Sequence, residues 1–156
     1  MKTAELLLKN KKTLAVAESL TGGLLASAFV DVPGISAAFL CGVVAYSNES
    51  KTALLGVPFE LIEKHGAVSA EVAGAMALGC KKISGADYAL STTGIAGPEG
   101  GSAQKPVGLV YIALAGPGDC SENIVCKKLL LQGSRQDIRK QTVRAACDLL
   151  GEALEL

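Results

Sequence analysis

The feature that most narrows the fold is a handover. The short apolar run Leu14–Glu18, LAVAE, passes through SLTGG into a second apolar stretch, LLASAFV. The first run reads as a strand buried on both faces and Gly22–Val30 as the helix after it, the opening half of an α/β unit. A buried strand followed by a helix is the first step of the alternation that marks an α/β fold.

The same handover recurs. Phe39–Tyr46 is a second β-rich run, and SNESKTALLG after it has helical spacing and ends at a glycine suited to a C-cap. Leu61–His65 reads as a brief helix. Ser69 caps a longer one, AEVAGAMALGCKKIS, with Glu71 in its first turn, where the helix dipole favours an acid. Tyr88–Thr92 is a third strand and runs into TTGIAGPEGGSAQKP; Val107–Ala115 and Asn123–Leu131 are the fourth and fifth, with GPGD between them as a hairpin signal. Gly133 and Ser134 open a last helix that carries Ile138, Val143, Ala146 and Leu150 near one face. Strands alternating with helices, then two adjacent strands, define an α/β chain: a single three-layer α/β/α domain over residues 1–156 with a mixed, partly parallel sheet.

Bulk properties exclude several classes. With 15 basic and 15 acidic residues and no basic block, the chain lacks the footprint of a nucleic-acid-binding protein. No apolar run approaches the roughly 18 residues a bilayer span requires, so no membrane partner is expected. The opening MKTAELLLKNKK reads as an amphipathic helix rather than a signal peptide. Cys41, Cys80, Cys120, Cys126 and Cys147 are odd in number and widely spread, which suits reduced packing thiols in a cytoplasm. One histidine, His65, and no Cys-x-x-Cys give a metal site little material.

The unusual chemistry lies in three clusters, AESLTGG, AYSNESK and STTGIAGPEGG, each at the carboxyl end of a predicted strand, where ligands bind in open α/β sheets. In the first, the amides of Gly22 and Gly23 either face an anion or a developing oxyanion, or serve ordinary helix capping. In the second, Ser47 and Lys51 stand four apart behind Tyr46, so that Lys51 either reaches back toward a hydroxyl or is solvated on the outer helix face. The third is a glycine loop with Thr93 at its mouth, stiffened by Pro98 and Pro106; it suits wrapping amides around a phosphate or sugar, and by itself also suits a long turn. It has neither Walker nor dinucleotide spacing, and the chain has no Gly-x-Ser-x-Gly. Arg135 and Arg139 lie one helical turn apart and either grip a phosphate or form a solvated pair.

Taken in order, AESLTGG, AYSNESK, TGIAGPEGG and KPVGLVYIAL, with Gly-Ser-Arg-x-x-Ile-Arg opening the last helix, resemble the CinA C-terminal domain family over nearly the whole chain. Its enzymatic members are nicotinamide-nucleotide amidohydrolases. The resemblance implies hydrolysis of the carboxamide of nicotinamide mononucleotide to nicotinate mononucleotide and ammonia, with no metal or organic cofactor. It implies Ser19 as nucleophile, Lys51 as base, and the Tyr46 and Thr93 hydroxyls as groups that assist proton transfer or hold the amide. Thr21, Gly22, Gly23, Ser47, Asn48, Gly94 and Gly97, with Arg135 and Arg139, would bind the nucleotide.

This agrees with the residues themselves. His65 falls outside every cluster, so a Ser-His-Asp triad is not available, and a lysine desolvated among apolar strand ends is the base at hand. Leu20 replaces a cysteine of many relatives, and Glu99 adds a carboxylate where relatives have glycine, which weakens phosphate binding unless its side chain faces solvent. Longer CinA proteins carry a further N-terminal domain; with Met1 close to the first strand, this chain reads as a stand-alone version. Small-residue helices and neutral charge suit a homo-oligomer. The alternative function is a pyridine-nucleotide-binding module or sensor without catalysis.

Overall fold

The computed structural model describes residues 1–118 and 123–155. Cys120, Asp119 of the GPGD turn and Leu156 lie outside them. Five strands form one sheet: β1 (Leu14–Glu18), β2 (Phe39–Val44), β3 (Tyr88–Gly94), β4 (Leu109–Ala115) and β5 (Ile124–Leu130), in the order β2-β1-β3-β4-β5. β1 runs parallel to both neighbours, whereas β3, β4 and β5 pair antiparallel. The sheet is therefore mixed, and its parallel half contains the three strands that end in polar clusters.

Helices α1 (Lys2–Lys9), α2 (Leu24–Val30) and α6 (Arg135–Leu154) cover one face; α3 (Asn48–Leu55), α4 (Phe59–His65) and α5 (Ala70–Ser84) cover the other. All five residues of β1 are buried, as a strand covered on both sides requires. Alternation sorts them: Leu14 and Val16 pack with Leu25, Phe29, Ile138 and Leu150, and Ala15 and Ala17 pack with Ala73, Met76 and Ala77 of α5. The second face is lined by alanines, Ala15, Ala17, Ala89, Ala113 and Ala115, which let α5 lie close to the sheet. α3 and α5 approach so closely that a Cβ on Gly79 would overlap the carbonyl oxygen of Leu55. α6 opens with a capping box, in which Ser134 Oγ accepts from the Asp137 amide at 3.2 Å and the Asp137 carboxylate accepts from the Ser134 amide at 2.9 Å.

The structure corrects several details. α2 begins at Leu24 rather than Gly22, because Gly22 and Gly23 adopt left-handed φ values of 57° and 99°. β2 ends at Val44 and β3 extends to Gly94. On α6 the buried stripe uses Thr142, whose hydroxyl donates to the Ile138 carbonyl at 2.7 Å, while Val143 is only half-buried. Cys80 and Cys147 are buried, and burial pushes their thiols up to about 12 and about 11. Cys126 is not a packing thiol: it is exposed on the edge strand β5.

Gly79→Ala should destabilise the fold by about 1–3 kcal/mol, since the helix pair must separate to admit the methyl group. Urea unfolding midpoints measure this, and an unchanged midpoint would contradict the packing described.

Candidate functional site

Parallel pairing aligns Glu18 of β1 with Val44 of β2 and with Thr92 of β3, so the chain leaves all three strands at one edge of the sheet. Ser19 follows β1 and is nearly buried. Past β2, Ser47 caps α3 by accepting from the Ser50 amide at 3.0 Å. That cap starts the helix above the strand end and places Lys51 one turn in, with its side chain directed back under Ala45 and Tyr46. Lys51 is 1% exposed, and its Nζ lies 3.0 Å from Ser19 Oγ, 3.0 Å from the Ala45 carbonyl and 3.1 Å from the Tyr46 carbonyl.

Nζ therefore faces two carbonyl oxygens and one hydroxyl. Nζ donates to both carbonyl oxygens, and its third contact, with Ser19 Oγ, admits either direction: an ammonium donates there, and a neutral amine accepts the hydroxyl proton. Burial lowers the Lys51 pKa from 10.5. None of the ion pairs among the described residues supplies Lys51 with a carboxylate that would hold it charged.

The first glycine pair does not offer its amides to a ligand. Glu18, 0% exposed, turns its carboxylate into the start of α2, where it accepts from the amides of Gly23 at 3.2 Å, Leu25 at 2.9 Å and Ala26 at 2.8 Å. The Gly22 amide donates to the Ser19 carbonyl at 3.1 Å. The helix start is thus filled by the chain's own acid, a role that the sequence reading did not give Glu18. Its signal was an acid at the end of an otherwise apolar strand, five residues before Gly23. The amides of Leu20 and Thr21, which directly follow Ser19, take no part in the hydrogen bonds among the described residues.

Of the remaining candidates, Tyr46 meets the pair through its main-chain carbonyl, and the side chains of the others make no hydrogen bond to it among the described residues. Thr21 Oγ1 is buried and meets Thr92 Oγ1 at 2.8 Å, and Thr93 Oγ1 donates to the Ala67 carbonyl at 2.8 Å, tying β3 to the connection before α5. Tyr46 is exposed, and its hydroxyl accepts from Arg135 Nη2 at 3.0 Å while Arg135 Nη1 donates to the Gly97 carbonyl at 2.8 Å. One guanidinium therefore bridges the second and third clusters. Arg139 Nε donates to the Leu20 carbonyl at 2.9 Å and its Nη2 to the Thr21 carbonyl at 2.8 Å. Asn48 is exposed at the first position of α3. Gly94 and Gly97 are required by packing, since a Cβ on either would press into the Val110 or Val107 side chain. Glu99 is exposed, Leu20 is buried in the core, and His65 lies near Glu71, outside the clusters.

Among the described residues no group of three or more His, Cys, Asp or Glu can hold a metal ion, and no helix is long and apolar enough to cross a membrane. A separate groove of about 600 Å³ between α3, α4 and α5 is lined mainly by apolar residues such as Leu54, Pro58, Leu61 and Ile83, and contains none of the polar clusters.

A five-stranded mixed sheet with helices on both faces places the chain in the α/β class. The model of the CinA C-terminal domain matches residues 1–154, and the chain belongs to that family. It is 54% identical over 142 residues to a CinA-like protein of Geotalea uraniireducens, covering 91% of this chain and 33% of that protein. It is 55% identical over 132 residues to a CinA-like protein of Chlorobium chlorochromatii, covering 85% and 31% respectively. The chain thus spans about a third of the length of these curated relatives. A crystal structure of a CinA superfamily protein from Klebsiella pneumoniae superposes with a TM-score of 0.92 at 35% identity, covering 99% of this chain and 94% of that one. A competence/damage inducible protein from Agrobacterium tumefaciens gives 0.91 at 38% identity, covering 100% and 97%.

Lys51 should titrate below the ordinary lysine value of 10.5, the direction that desolvation dictates. The pH dependence of its side-chain nitrogen resonance in lysine-labelled protein measures this. A midpoint at or above 10.5 would contradict the desolvation of this amine.

Proposed function

We propose that the chain is an amidohydrolase that removes the carboxamide nitrogen of nicotinamide mononucleotide, with Ser19 as nucleophile and Lys51 as its base. One observation carries this reading: a lysine amine with 1% exposure stands 3.0 Å from a serine hydroxyl and pairs with no carboxylate among the described residues. A buried amine of this kind costs stability if its only task is structural, because two carbonyls and a hydroxyl replace full hydration of a cation. As a base, its depressed pKa is an asset.

In the proposed reaction Ser19 Oγ attacks the carboxamide carbon while its proton passes to Lys51 Nζ. The tetrahedral intermediate collapses as the C–N bond breaks, and the Lys51 ammonium returns that proton to the departing nitrogen, which leaves as ammonia. Water then attacks the resulting ester with Lys51 again as base, giving the carboxylate and restoring the serine. The main-chain amides of Leu20 and Thr21 are the unused donors nearest in sequence to the nucleophile and serve the developing oxyanion. The Tyr46 phenol and the glycine loop, bridged by Arg135, border the site where the nucleotide would lie. The family resemblance supports the choice of substrate, and the serine–lysine contact supports the chemistry.

Release of ammonia from nicotinamide mononucleotide is the test. Ser19→Ala should lower kcat about 10³-fold or more. Because Lys51 acts in its neutral form, kcat/KM should rise with pH through the Lys51 ionisation and level off above it. Binding of the nucleotide without turnover, in a calorimeter, would replace this reading with that of a non-catalytic nucleotide-binding module.

A further inference from the structure

We propose that Glu18 and Arg139 are positioning residues that hold the Ser19–Gly23 turn from its two sides, and that Arg139 acts through this turn rather than by gripping a substrate phosphate. The proposal rests on the serine–lysine hydrolase reading above.

A turn that ends in two glycines with positive φ is soft by itself, because glycine restrains the backbone least. Two charged side chains stiffen it. From the α2 side, the Glu18 carboxylate binds three amides and closes residues 18–26 into a ring that contains Ser19. From the α6 side, the planar Arg139 fork places adjacent donors on the successive carbonyls of Leu20 and Thr21. In a trans peptide the carbonyl and the N–H point in opposite directions. Fixing the Leu20 carbonyl therefore fixes the direction of the Thr21 N–H. Fixing the Thr21 carbonyl fixes the Gly22 N–H, which donates to the Ser19 carbonyl at 3.1 Å. The grip of Arg139 thus reaches Ser19 through two peptide planes.

Lys51 has separate supports, the Ala45 and Tyr46 carbonyls at the end of β2. The hydroxyl-to-amine distance of 3.0 Å depends on both sets. Nε has its one N–H engaged on the turn and Nη2 one of its two, so two of the five guanidinium donors serve the backbone. Neither Glu18 nor Arg139 takes part in the ion pairs among the described residues, so their shared work is on the backbone between them.

The experiment compares R139A, R139K and E18Q with wild type on nicotinamide mononucleotide and on nicotinamide riboside, which has the same carboxamide and no phosphate. A positioning role predicts that kcat falls about 10²-fold for both substrates by the same factor, with KM little changed. R139K should recover part of the loss, since an ammonium keeps one of the two carbonyl bonds. A rise in KM confined to the phosphorylated substrate would make Arg139 a phosphate ligand and overturn the proposal, as would unchanged kcat. A second readout is independent of substrate: the rate at which a fluorophosphonate labels Ser19, followed by intact mass, should fall in all three variants. If wild type is labelled and the folded R139K and E18Q are labelled as fast, the proposal alone fails. A wild type that neither takes the label nor releases ammonia removes the hydrolase reading, and this proposal with it.

Discussion

The site is organised by the cost of burying the Lys51 amine. Removed from water and given no carboxylate among the described residues, the side chain is held by two carbonyls and the hydroxyl of Ser19. The partners come from two parts of the parallel half of the sheet: the hydroxyl from the end of β1, and both carbonyls from the chain leaving β2. Neighbouring parallel strands bring these ends together because both run in the same direction. An antiparallel pair would have put one of them at the opposite edge of the sheet.

The two faces of the sheet divide the labour. On the alanine-lined face, α3 and α5 pack closely enough that Gly79 has no room for a side chain, and α3 delivers Lys51 over the strand ends. On the other face, α2 and α6 support the turn after β1, through Glu18 in the first case and Arg139 in the second. Ser19 stands where these two systems meet. Substitutions at some distance on either face therefore bear on one interatomic distance.

Much of this was legible in the sequence. The boundaries of β1 were readable because all five of its residues are apolar or capped by one acid, and α5 and α6 because Ser69 and Ser134 are strong N-caps. The convergence of the three clusters followed from parallel pairing alone. The allocation of polar side chains was harder to read. Glu18 looked like a strand-end acid, since nothing in a one-dimensional pattern says that a carboxylate will fold back onto amides five to eight residues later. Thr21 and Thr93 matched ligand-binding motifs, yet their hydroxyls bond to Thr92 and to the Ala67 carbonyl. A residue's place in a motif sets its neighbourhood, whereas its hydrogen-bond partner depends on which face of the strand it occupies.

The central claim is that Ser19 and Lys51 act as one chemical unit, which a double-mutant cycle on kcat/KM tests most directly. Ser19→Ala, Lys51→Met and the double variant should show nearly the same loss, because removing either partner already disables the pair. Losses that multiply in the double variant would show two groups acting independently and would contradict the account.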